Sequence, residues 1–114
     1  MKDGHVFINV PFDERYEPLF LALVAGFVGL RLTPRSILEI PTTKDRLRRL
    51  WRLIQQCHFS IHDLSRTQLS RNGFRVPRFN MPSEAGLAIA FGLGSRHQSR
   101  VFEETPYRIQ HTMP

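Results

Sequence analysis

Short strand-like apolar runs alternate with longer helical patterns along this chain, and this alternation constrains the fold more than any other feature. The first run, residues 5–10, is rich in β-branched and aromatic residues and ends at Pro11, which predicts a buried strand. Further strands are predicted at residues 32–40, 58–63 and 101–104, and helices at residues 16–30, 45–57 and 80–91. Strands that alternate with helices pair in parallel through right-handed crossovers, so this order predicts an α/β domain.

The predicted architecture is a flavodoxin-like three-layer sandwich with a parallel sheet of four or five strands. The 114 residues are enough for one such domain, spanning 1–114, with a core of its own. A doubly wound domain normally adds a closing helix or a fifth strand where this sequence stops. We therefore expect either a domain shortened at its C-terminus or a second chain that covers the bare face, as in a homo-oligomer.

Several protein classes are disfavoured by the sequence. Cys57 is the only cysteine, which excludes an internal disulfide framework and a cysteine-rich zinc site. The N-terminus lacks the basic stretch that opens a signal peptide. The longest apolar run, residues 19–30, is shorter than the roughly 17–25 residues that cross a bilayer, so it predicts a buried core helix. We expect a cytoplasmic protein without a membrane partner.

The net charge of +6 leaves the class of partner open. Such a charge favours phosphate-bearing ligands, and a solvated surface without function explains it equally well. Nucleic acid is a further candidate partner, through the arginines at positions 46, 48, 49 and 52 of one predicted helix. That helix does not interleave aromatic stacking groups with its arginines, which weakens a single-strand interpretation.

Three carboxylates are the main candidates for chemistry. Asp13 and Asp63 follow the first and third strands, and Glu84 lies in the predicted first turn of the helix that opens at Asn80. In a flavodoxin-like order these two strands are neighbours, so both loops open onto one crevice. Several carboxylates in one cleft raise the pKa of one member, as suits a general acid or base, or a nucleophile at a sugar anomeric carbon. The competing interpretation is that the aspartates cap turns and Glu84 satisfies helix amides.

Polar residues flank the same helix start. Asn80, Arg66 and Arg78 could form an anion site there, because helix N-termini and arginines both bind phosphate or carboxylate. Ser65 and Ser83 could donate hydrogen bonds to such an anion. The alternative is a capped and charged loop without a ligand.

Other motifs predict no metal or cofactor. His58 and His62 lie four positions apart on a strand, roughly 13 Å, which is too far to share one ion. His62 could instead orient Asp63 or be purely structural. Gly92 and Gly94 follow a helix instead of a strand, so they form no dinucleotide fingerprint, and they are predicted to stop that helix. Cys57 closes the apolar face of its helix and is expected to be a buried, inert thiol.

Three segments carry a resemblance to a known group. Residues 9–13 read Asn-Val-Pro-Phe-Asp, residues 62–66 read His-Asp-Leu-Ser-Arg, and residues 78–82 read Arg-Phe-Asn-Met-Pro. These segments, with Glu-Ala-Gly-Leu from Glu84, resemble uncharacterised bacterial proteins of the nucleoside 2-deoxyribosyltransferase-like and TIR-like superfamily. The enzymes of that group place their Asp and Glu closer together than Asp63 and Glu84 are here, and they continue further at the C-terminus.

The resemblance implies a function. In those enzymes the helix-opening Glu attacks or stabilises the anomeric carbon of a nucleoside or an NAD-like nucleotide. Carried over, that catalytic role falls to Glu84, with Asp63 as its substrate-orienting or acid/base partner. Phe12 and Asp13 would contact the ligand, and Arg66 or Arg78 would hold a phosphate. The expected function is therefore nucleotide or nucleoside binding with cleavage of an N-glycosidic bond; the alternative is a noncatalytic nucleotide-sensing or protein-interaction module.

Overall fold

The computed structural model describes residues 2–41, 45–65 and 80–103. The strands are β1 (Lys2–Asn9), β2 (Thr33–Ser36), β3 (Cys57–Asp63) and β4 (Gln98–Phe102). The helices are α1 (Glu17–Gly29), α2 (Arg46–Gln56) and α3 (Asn80–Leu93), with a 3-10 turn at Ile37–Glu39. The predicted alternation of strands and helices is confirmed.

The described strands form one parallel sheet in the order β2-β1-β3-β4. This α/β arrangement is compatible with the predicted flavodoxin-like sandwich. The chain crosses from β1 to β2 on one side and then to β3 on the other, so the topological switch point lies between β1 and β3. In open α/β sheets ligands bind outside the carboxyl ends of the strands at such a point. Asn9 and Asp63 end the two strands there.

The two faces of the sheet build separate cores, because successive side chains of a strand point to opposite faces. Ile8 packs with Val10 and Tyr16 on the face covered by α1. Phe7, its neighbour in β1, packs on the other face with residues of α2 and α3. That second cluster contains Leu50, Leu53, Ile54, Cys57 and Ala88.

The prediction that α1 is a buried core helix is wrong. None of its residues is buried, and Leu21 and Val28 remain 55% and 57% exposed. Among the described elements α1 lies alone on its face of the sheet, so only one side of the helix has a partner. The continuous apolar sequence of α1 shows that the helix has few polar residues, but it does not determine how much of the helix is buried.

The second strand is shorter than the predicted span 32–40. β2 ends at Ser36, because Ser36 and Glu39 form a capping box that turns the chain into the 3-10 turn. The Ser36 hydroxyl accepts from the Leu38 N–H at 3.3 Å, and the Glu39 carboxylate accepts from the Ser36 N–H at 2.9 Å.

Boundaries near the C-terminus also shift. Of the two glycines predicted to stop α3, Gly92 lies inside the helix and Gly94 follows its last residue, Leu93. A Cβ at Gly92 would lie 2.8 Å from the carbonyl oxygen of His97, and glycine therefore allows the close approach that leads into β4. β4 begins at Gln98, three positions before the predicted start.

Candidate functional site

Asp63 ends β3 as a buried carboxylate with three hydrogen-bond donors. It is 4% exposed. The Tyr16 hydroxyl donates to its Oδ2 at 2.6 Å. Its Oδ1 accepts from both the backbone N–H and the hydroxyl of Ser65, at 3.0 and 2.5 Å. These three donors fix the orientation of the carboxylate at the end of the strand.

Tyr16 joins the two aspartates that the sequence predicts to share a crevice. Its backbone N–H donates to Oδ1 of Asp13 at 2.9 Å, while its hydroxyl donates to Asp63. The Asp13 carbonyl also accepts from the N–H of Glu17 at 3.0 Å, so Asp13 caps the turn that leads into α1, as the competing interpretation predicted. Sequence reasoning missed Tyr16. The spacing Asp13-x-x-Tyr16 signals the cap, but nothing local signals the bond to Asp63.

Glu84 lies deeper in its helix than the predicted first turn. α3 begins at Asn80, and no acidic residue lies in its first turn. Interaction with the helix amides therefore does not account for Glu84. The side chain is 4% exposed, and burial raises its pKa from 4.5 to about 7, against the opposing effect of the Arg46 charge.

Within the described ranges Glu84 forms no hydrogen bond with Asp13 or Asp63. Asp63 contacts Tyr16 on the α1 side of the sheet. His62, the preceding residue, faces the side on which α3 packs. The structure thus brings Asp13 and Asp63 together through Tyr16 and holds Glu84 in the other layer, near the same edge of the sheet.

Phe12 lies at a groove beside the loop between β1 and α1. The groove has a volume of about 460 Å³, and Phe12, Asp13, Phe20 and Leu38 are among its lining residues. Phe12 is 38% exposed and meets Phe20 edge to face, with ring centroids 5.3 Å apart. The rings of Phe12 and Phe20 give the groove an aromatic surface, which could hold a flat apolar group such as a nucleobase.

The remaining predicted ligand contacts fall into three groups. Ser65 is committed to Asp63, and Ser83 is exposed at the start of α3. Asn80 is the first residue of α3, and its side chain is outside the described part of the protein. Arg66 and Arg78 lie outside the described residues, so the predicted phosphate site stays a prediction.

A chain of buried polar side chains lies behind the carboxyl edge of the sheet. It runs from Asn9 through His62 and Ser60 to His97, with each contact between 2.8 and 2.9 Å. Burial, and to a smaller extent the nearby His97, lower the pKa of His62 from 6.5 to about 4. His62 is therefore neutral at pH 7 and belongs to this chain. It makes no hydrogen bond to Asp63 among the described contacts.

The described ranges contain no group of three His, Cys, Asp or Glu side chains that could hold a metal ion. No helix there is long and apolar enough to cross a membrane. Burial raises the pKa of the Cys57 thiol to about 11, as expected for an unreactive thiol.

Comparisons with models of protein families, with curated proteins and with solved structures found no match. The arrangement itself therefore carries the functional argument. It offers a buried carboxyl group whose pKa is raised to about 7, a second carboxylate held by three donors, and an aromatic groove at the loop that carries Asp13.

Proposed function

We propose that this domain binds a nucleoside or nucleotide at the carboxyl edge of its sheet and cleaves the N-glycosidic bond, with Glu84 as the reacting carboxylate. One observation carries the proposal: Glu84 is only 4% exposed on the helix that begins at the carboxyl edge of the sheet, and burial raises its pKa to about 7. Strong perturbation of a carboxyl group by burial is typical of a functional group. The sequence resemblance to glycosyl-transferring and TIR-like enzymes points to the same residue.

The chemistry requires a negative charge beside a sugar that becomes cationic. As the bond between the anomeric carbon and the base nitrogen breaks, its electron pair leaves with the base and the sugar develops oxocarbenium character. An opposite charge nearby favours the ionised carboxyl, so the developing cation would draw Glu84 to its anionic form. Water then adds to the anomeric carbon, and its proton passes to the departing base or to solvent.

Asp63 and Phe12 have supporting roles in this proposal. The donors from Tyr16 and Ser65 leave acceptor capacity on the Asp63 carboxylate, which would receive a sugar hydroxyl. The groove at Phe12 would hold the base. Arg66 or Arg78 would bind a phosphate when the ligand carries one.

Substitution of Glu84 tests the proposal. We expect Glu84→Gln to reduce turnover of a panel of nucleosides and NAD at least about 100-fold, because the cation loses its counter-charge. Asp3→Asn is the matched control, since Asp3 lies on the first strand far from the carboxyl edge and its side chain is 90% exposed. The catalytic role would be refuted if Glu84→Gln folds like the wild type and turns over the panel at the same rate.

A noncatalytic nucleotide-sensing or protein-interaction module is the second candidate. The observation that favours it is the small exposed fraction of both acids, 4% for Asp63 and 4% for Glu84, which suits a structural or recognition role. In that case the same panel binds without turnover, and calorimetric affinity is retained in Glu84→Gln.

A further inference from the structure

The buried polar chain behind the sheet edge ends on the helix that carries Glu84. Asn9 donates from Nδ2 to the carbonyl oxygen of Met81 at 2.8 Å and to Nδ1 of His62 at 2.8 Å. Asn9 ends β1, and Met81 is the second residue of α3. One side chain therefore links the central strand, its neighbour β3 and the first turn of α3.

The proton positions along this chain follow from its far end. His97 must donate from Nδ1, because its partner there at 2.6 Å is the Cys57 carbonyl oxygen. Nε2 of His97 is then an acceptor, so the Ser60 hydroxyl donates to it at 2.9 Å. With its proton used, Ser60 accepts from Nε2–H of His62 at 2.8 Å.

This assignment fixes the orientation of the Asn9 amide. A neutral His62 that donates from Nε2 has an acceptor at Nδ1, so Asn9 must present its NH₂ group to it. The other proton of that group reaches Met81. Oδ1 of Asn9 is left buried without a hydrogen bond in the described part of the chain. A flipped amide would set oxygen against the Met81 carbonyl and lose both bonds.

We infer that Asn9 is a positioning residue, held by His62 and Ser60, that fixes the first turn of α3 and with it the place of Glu84. The inference rests on the proposed function in that Glu84 is taken as the reacting group. α3 also packs through apolar side chains, Met81 and Ala85 in one cluster and Leu87, Ala88 and Phe91 in another. Apolar contacts have no preferred direction, whereas a buried hydrogen bond is directional, so the bond from Asn9 adds an orientation that packing alone does not specify.

Nuclear magnetic resonance on the full chain tests the inference with Asn9→Leu, which keeps the volume and removes the amide. We expect amide hydrogen exchange at residues 84–86 to accelerate at least about tenfold, while α2 is unchanged. We also expect the pKa of Glu84 to fall by about one unit, a tenfold change in proton affinity, because a loosened helix start admits water. In the wild type, His62 should show the Nε2–H tautomer.

Two further variants keep the test decisive. Ser60→Ala removes the partner of His62, the residue that contacts Asn9, and should change amide exchange at residues 84–86 and the pKa of Glu84 in the same direction. This variant provides the test if Asn9→Leu does not fold. Ser99→Ala removes only a side branch, the 3.0 Å contact between the Ser99 and Ser60 hydroxyls, and should change neither reading.

The outcomes separate this inference from the proposed function. Unchanged exchange and an unchanged Glu84 titration in folded Asn9→Leu, or the Nδ1–H tautomer at His62, would overturn the positioning role. A wild-type Glu84 that titrates as an ordinary carboxyl group would instead remove the support for catalysis. The exchange measurement would then still decide the role of Asn9.

Discussion

Replacing Glu84 with Gln should change how the stability of the protein depends on pH. Burial raises the pKa of Glu84 from 4.5 to about 7, so the folded state binds this proton more tightly than the unfolded state. The stabilisation is fully present below the unfolded pKa and is lost as pH rises through the folded pKa. The difference of about two and a half units corresponds to at most about 3 kcal/mol in the free energy of unfolding.

His62 titrates in the opposite sense. Its folded pKa of about 4 lies below the ordinary value of 6.5, so the unfolded state binds the proton more tightly and stability is lost as pH falls from 6.5 to 4. The two effects are of similar size and offset one another between pH 4.5 and 6.5. In wild type we therefore expect Glu84 and His62 together to change the free energy of unfolding little between pH 4.5 and 6.5. In Glu84→Gln only the effect of His62 remains, so stability should increase with pH across that interval.

Urea unfolding at a series of pH values from about 4.5 to 8 measures this difference, with circular dichroism and Trp51 fluorescence as probes. Relative to wild type, Glu84→Gln should gain up to about 3 kcal/mol between the lowest and highest pH. Asp3→Asn serves as the control: it removes only an exposed 3.4 Å contact with His58, so its curve should stay within about 0.5 kcal/mol of wild type throughout. If the curves for wild type and Glu84→Gln stay parallel over the whole range, the carboxyl group is not desolvated as described.

Two backbone predictions complete the set. Arg31 holds a φ of 62° after α1, where the N–H groups of Arg31 and Leu32 bond back to Val28 and Phe27. Arg31→Gly should therefore raise the free energy of unfolding by about 1 kcal/mol, and Arg31→Ala, which keeps a Cβ, should not. Gly92→Ala should lower it by about 1–3 kcal/mol, because the new Cβ meets the His97 carbonyl at 2.8 Å. Gly86→Ala has open space around it and should be neutral or stabilising, and equal effects at the two glycines would contradict the packing argument.

Periodic patterns in the sequence were sufficient to predict the elements and their parallel arrangement. Short β-branched runs and the amphipathic spacing of α2 are local properties, so they predict local structure well. The end of β2 was predicted at Ile40 and lies at Ser36, although the capping-box signature Ser36-x-x-Glu39 is a local signal that could have located it. The exposure of α1 was not, because burial depends on which other elements reach that face.

The candidate site was only partly predictable for a related reason. Asp63 and Glu84 were identified from their places at a strand end and a helix start. Their environments depend on partners far away in the chain: Tyr16 is 47 positions from Asp63, and Asn9 is 72 positions from Met81. A single sequence carries no local signal for such pairs.

The buried polar chain also affects the register in which the strands pair. Because side chains alternate between faces, a slip of β3 by one residue would turn Ser60 and His62 toward the apolar cluster beneath α1. Of Ile8, Val10 and Tyr16, which form that cluster, only Tyr16 carries a side-chain hydrogen-bonding group, so at least one of the two polar side chains would lose its partners. Misaligned sheets would thus carry unsatisfied polar groups, and the native pairing of β1, β3 and β4 is selected during folding by that penalty.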